Sequence, residues 1–175
     1  MKTAIIILGL ICSIIESCYS QCEEYELFYK EILADTTYLV EHENFIGYIF
    51  PENYHGHIVD KKNKTFTLSK IEVLKIESIL LNQYNLIHKS DSRVIKYKRK
   101  KNVGKYLRKF DRQYLGFINE SGEKSAAIIL ANRHGKGKYY FECFERVMTF
   151  GFGEFYEKNQ RYFVINLDKE KLIIP

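Results

Sequence analysis

The sequence predicts an α+β fold: one long helix packed on a curved antiparallel sheet of about four to five strands, in the order β-α-β-β-β-β. Three observations carry this. A capped amphipathic helix occupies the middle of the chain, aromatic and β-branched runs flank it, and the later runs are joined by short polar connections.

The first strand is NFIGYIF at 44–50, aromatic and β-branched, and it stops at Pro51. The helix follows in TFTLSKIEVLKIESILLNQYNLIHK. Ser69 and Glu72 have capping-box spacing, in which each side chain satisfies a backbone N–H left free by the first helical turn. Val73, Ile76, Leu80, Tyr84 and Ile87 then recur at helical spacing with Ile79 beside them, so one helix face needs an apolar surface to lie on. The sheet would supply it. QYLGFIN and KSAAIILAN flank Glu120, Ser121, Gly122 and Glu123, a short connection whose glycine can take positive φ, and they predict a hairpin. Two further strands are expected at 138–147 (KYYFECFERV) and 161–167 (RYFVINL).

This order looks cystatin-like, since in cystatins one helix packs on an antiparallel meander. The likeness is architectural and implies no activity. QYLG at Gln113 to Gly116 superficially resembles the QxVxG loop of cystatin-type protease inhibitors. It is one residue short and falls inside a predicted strand instead of a turn, so inhibition by that route is not expected.

FTLSKIEVLKIESIL, FDRQYLGFINESGEK, KYYFECF and FGE, in that order, resemble segments of small uncharacterised exported proteins of Bacteroidota-type bacteria. Leu68, Ile76 and Phe110 depart from the proline, alanine and tyrosine of that pattern. The resemblance implies export and supplies no activity.

The N-terminus supports the same expectation. Met1 and Lys2 precede TAIIILGLICSII, about thirteen apolar residues, which suits a secretory signal and is shorter than the roughly 20 residues of a membrane-spanning helix. Cleavage after Ser20 would make 1–20 a signal peptide and 21–175 one globular domain, periplasmic or extracellular. A lipoprotein modified at Cys18 is the alternative, and Glu16 fits it poorly. Only Pro51 and Pro175 are prolines, and no linker or repeat divides the remainder. With Cys12 and Cys18 removed, Cys22 and Cys143 remain for an oxidising compartment. They form either one disulfide or two free thiols.

Catalytic signals are weak. His55 and His57 have a two-residue spacing that would share one strand face, but no further ligands follow, so no metal and no cofactor is expected. Cys143 lies among aromatics, a poor setting for a nucleophile with His134. No glycine-rich phosphate loop, GxSxG elbow or HExxH helix occurs. Asn63 and Asn119 head glycosylation sequons in predicted turns and would be modified in a eukaryotic secretory route.

Charge is the stronger signal. Between Arg93 and Arg112 stand ten basic residues and one acid, Asp111, so this segment is +9 in a chain of +5 and the rest is −4. Lys98, Arg99, Lys100, Lys101, Lys105, Arg108, Lys109 and Arg112 are the candidate contacts to an anionic partner, either a protein or an envelope surface. Export makes nucleic acid an unlikely one. Val103, Tyr106, Leu107, Phe110 and Tyr114 interleave with them at near-helical spacing and should pack on the domain. The expected function is therefore a non-catalytic interaction module at the envelope or outside the cell. A secreted hydrolase with a site near His55 and His57 is the alternative.

Overall fold

Two long strands, β4 (Asp111–Ile118) and β5 (Lys124–Ala131), are buried almost from end to end, as strands are when both sheet faces are covered. The computed structural model that shows them describes residues 37–42, 45–54, 58–87 and 98–173, all within the unit Ala34–Pro175. The remaining strands are β1 (Tyr38–His42), β2 (Phe45–Ile49), β3 (Thr65–Phe66), β6 (Gln160–Asn166) and β7 (Lys171–Ile173). They form one seven-stranded sheet, ordered β1-β2-β4-β5-β6-β7, with β3 also paired to β4. β2 runs parallel to β4, Tyr48 opposite Gln113, while β3 pairs antiparallel to the far half of the same strand, Phe66 opposite Gly116. A Cβ on Gly116 would meet the Phe66 carbonyl oxygen at 2.6 Å, so only glycine lets β3 come this close.

The first face is covered by helix α1 (Lys70–Gln83). Ser69 caps it as the spacing predicts: its Oγ accepts from Glu72 N at 3.2 Å, and Glu72 Oε2 accepts from Ser69 N at 2.8 Å. Val73, Ile76, Ile79 and Leu80 lie against Tyr114, Ile128, Phe163 and Ile165 in one apolar cluster. The second face is covered by the connection from β5 to β6. It contains α3 (Gly137–Tyr140), a run of turns, and α4 (Glu154–Asn159), and it buries Phe141, Phe144, Val147 and Met148. Two buried glutamines hold it down. Gln113 donates to the Val147 carbonyl at 2.6 Å and to that of Phe144, and accepts from Thr149 N. Gln160 donates to the Thr149 carbonyl and accepts from Gly151 N at 3.0 Å.

The β4-β5 hairpin matches its expectation. Gly122 has φ of 79°, and Asn119 Oδ1 accepts from Ser121 N and Glu123 N while its Nδ2 donates to Glu123. The Asn119 sequon amide is thus already committed to the turn.

Several expectations are corrected. The fold is α+β, but the sheet has seven strands instead of four to five and is mixed instead of antiparallel, and the longest helix among the described residues has 14 residues. Among the described residues, the order β-α-β-β-β-β is replaced by three strands before α1 and four after it. The strand expected at 138–147 is absent. Its buried residues Phe141, Phe144 and Val147 recur every third position, a spacing of helical turns, and Gly135 at φ of 58° turns the chain away from β5. The strand paired with β5 is therefore β6, close to the 161–167 expected. Cys143 is disulfide-bonded, which leaves it no thiolate to act as a nucleophile with His134. Cys22, its expected partner, lies outside the described residues, as do the signal segment 1–20 with Cys12 and Cys18, and His55 and His57.

Candidate anionic-partner surface

The basic segment leaves its first surface marker where Asn85 meets Lys100. After α1 the chain makes a short 3-10 turn, Tyr84–Leu86, and Asn85 within it donates to the Lys100 carbonyl and accepts from Lys100 N, both at 2.8 Å. The side chain thereby imitates a strand partner and fixes residues 98–101 beside the end of α1. Lys100 Nζ rests 4.2 Å from the Tyr106 ring centroid, a cation-π contact that makes Lys100 the half-buried member of the run.

Helix α2 (Val103–Leu107) follows. Asn102 caps it, Oδ1 accepting from Lys105 N at 2.8 Å. Leu107 and Phe110 are buried, and Val103 and Tyr106 pack at the edge of the same cluster, which is the apolar anchoring the spacing predicts. With that side turned inward, Lys98, Arg99, Lys101, Lys105, Arg108 and Lys109 are exposed.

Arg112 is not on this surface. At 2% exposure it lies in the core, where Nε and Nη2 donate to the two Glu77 oxygens at 3.2 and 3.1 Å, and Nη1 donates to the carbonyls of Leu107 and Phe110. Tyr114 Oη donates to the same Glu77 carboxylate at 2.7 Å. Burial and the neighbouring Glu77 charge hold the Tyr114 phenol well above its ordinary value, so it remains a hydrogen-bond donor. The arginine ties β4 to α1 and to the end of α2, and so supports the surface from beneath. Residues 93–97 of the predicted segment lie outside the described residues.

The charges on the surface are uncompensated. Lys75, Lys124, Arg133, Lys158 and Lys169 each meet a carboxylate within 4 Å, whereas none of the six exposed cations from Lys98 to Lys109 pairs with a carboxylate among the described residues. Asp111, the single acid of the segment, is directed to the other sheet face, where Arg133 approaches at 3.6 Å. Burial raises its pKa, against the pull of Arg133, His134 and Arg112.

Other features are poorer candidates. A cleft of about 440 Å³ lies beside β3 between Glu52, Tyr54, Asp60 and Leu115. The Tyr54 phenol there is occupied as an acceptor for Met148 N at 2.9 Å, and burial pushes its pKa up to about 12. Among the described residues, no group of three metal-ligating side chains occurs, and no helix is long and apolar enough to cross a membrane. No family model, curated protein or solved structure matches the chain.

Proposed function

We propose that this protein is an exported, non-catalytic interaction module that holds an anionic partner at the cell envelope or outside the cell through the surface from Lys98 to Lys109. The observation that carries the reading is the set of six exposed cations that have no carboxylate partner among the described residues, on a segment anchored by the Asn85–Lys100 hydrogen bonds. A folded surface that gathers like charge without neutralising it incurs self-repulsion, and an external anion relieves that cost. Anchoring matters equally, because residues already held by Asn85, Asn102 and the Tyr106 contact lose less conformational freedom on binding.

The test is crosslinking in the native host, read for both protein and lipid adducts, with wild-type protein and the charge-reversed variant K105E/R108E/K109E. The expected result is an envelope partner captured reproducibly by the wild type and lost in the variant. Identical capture by both, or no reproducible capture by either, counts against the reading.

A further inference from the structure

Beside the cations, the outer side of α1 carries apolar residues that face solvent. Ile71 is 80% exposed, Leu74 42% and Leu81 47%, and Leu86 in the following turn is 67% exposed. Scattered singly, exposed leucines are ordinary. These are aligned instead: 71, 74 and 81 fall on one helical stripe, distinct from the Val73, Ile76 and Leu80 side that packs on the sheet. The stripe runs into the basic surface, since a Cβ on Gly104 of α2 would lie 3.8 Å from Leu81 Cδ1, and Asn85, next to Leu86, clasps Lys100. Helix α1 is thus apolar on two sides, one used by the core and one abutting six cations that have no carboxylate partner among the described residues.

From this juxtaposition we infer that the anionic partner is a lipid surface, with Leu81 and Leu86 entering the boundary between headgroups and acyl chains while Lys98, Arg99, Lys101, Lys105, Arg108 and Lys109 meet anionic headgroups. The inference rests on the proposed binding role of that surface. Charge complementarity selects an anion, and the accompanying residues select its kind. Nucleic acid bound along a single strand is held by stacking on aromatic rings, and the exposed neighbours here are aliphatic. A bound peptide takes a groove or a free strand edge, whereas this ridge is the outer side of a helix, and the clefts beside β3 and along β1 lie elsewhere. A leucine ridge bordered by lysine and arginine is the pattern of a helix lying in a membrane interface.

The experiment is co-sedimentation of the full folded protein with three probes: vesicles in which about a third of the lipid is phosphatidylglycerol, vesicles of phosphatidylcholine alone, and beads coated with polyglutamate. The wild type is expected to bind the anionic vesicles, to bind neutral ones at least about tenfold more weakly, and to be released as salt shortens the screening length. The variant L81S/L86S keeps every charge and alters only exposed side chains. It is expected to lose about tenfold or more in vesicle affinity while polyglutamate binding stays unchanged, and the K105E/R108E/K109E variant is expected to lose both. Binding to polyglutamate without binding to vesicles overturns the lipid assignment and leaves the proposed function standing. Binding to neither overturns both. Equal vesicle affinity of wild type and L81S/L86S, with an unchanged unfolding midpoint, also overturns the inference.

Discussion

Asn85 holds both backbone groups of Lys100, N–H and carbonyl, each at 2.8 Å, and this one side chain fastens the head of the basic surface to the end of α1. Asn85→Ala removes two partly buried hydrogen bonds and leaves the Lys100 peptide without its partner. The expected cost is about 1–3 kcal/mol, measured by urea denaturation. Trypsin should also cut the folded variant faster between Lys98 and Lys101. Unchanged stability with an unchanged cleavage pattern would show that the clasp does not anchor the segment.

The Glu77 and Arg112 pair makes a different prediction, because both groups are removed from water. Arg112→Met removes the charged partner of Glu77, leaving that carboxylate with the Tyr114 hydroxyl as its donor, and takes the guanidinium donor from the Leu107 and Phe110 carbonyls, at about 3–5 kcal/mol. The double variant E77L/R112M removes both charges but leaves the buried Tyr114 hydroxyl without its acceptor, so it should recover part of that loss, and a double-mutant cycle by chemical denaturation reads the coupling directly. Because Arg112 lies beneath the surface, R112M should bind polyanions as the wild type does at temperatures where it is folded.

Stability should fall as the pH is lowered below the ordinary carboxylate value of 4.5, and Glu72 is one cause. Its partial burial opposes ionisation, but the Ser69 N–H, Lys124 and the Ser69 hydroxyl outweigh this and lower its pKa. A carboxylate with a depressed folded-state pKa contributes stability above the unfolded value and loses it as pH falls through the folded value. E72Q should therefore flatten the profile between about pH 5 and 3 while leaving its slope near neutrality unchanged. Thermal melts across that range test this, and parallel profiles for both proteins would remove Glu72 from the account.

Cys143 should contribute through its disulfide. Non-reducing peptide mapping is expected to recover a Cys22–Cys143 linked peptide. Reduction, or Cys143→Ser, should cost about 2–5 kcal/mol because the cross-link restricts the unfolded chain. A Cys22 thiol titratable in the unreduced protein would assign the bond elsewhere.

How much of this was legible in the sequence depends on how local each signal is. The α1 cap, the Asn119 to Glu123 turn and the apolar stripe of α1 are decided within a few residues, and all are found as expected. The β5-β6 connection is not legible because YYFECFERV has strand composition, while its conformation is set by Gln113 and Gln160, distant side chains that give its irregular backbone hydrogen-bond partners. β1, β3 and β7 are short and lie at the sheet margin, where pairing and not composition defines a strand. In the candidate site the charge run was visible and the burial of Arg112 was not. Its environment depends on Glu77, 35 residues earlier on another element. The outer leucine stripe was present in the sequence but masked by the core stripe beside it on the same helix.

Whether the surface from Lys98 to Lys109 meets the envelope is read most directly by lysine footprinting with a soluble acylating reagent, with and without the native envelope fraction, followed by mass spectrometry. Protection is expected at Lys98, Lys101, Lys105 and Lys109, with Lys61, Lys138 and Lys169, exposed elsewhere, labelled as in the free protein. Equal labelling at all seven positions, or protection centred on Lys138, would contradict it.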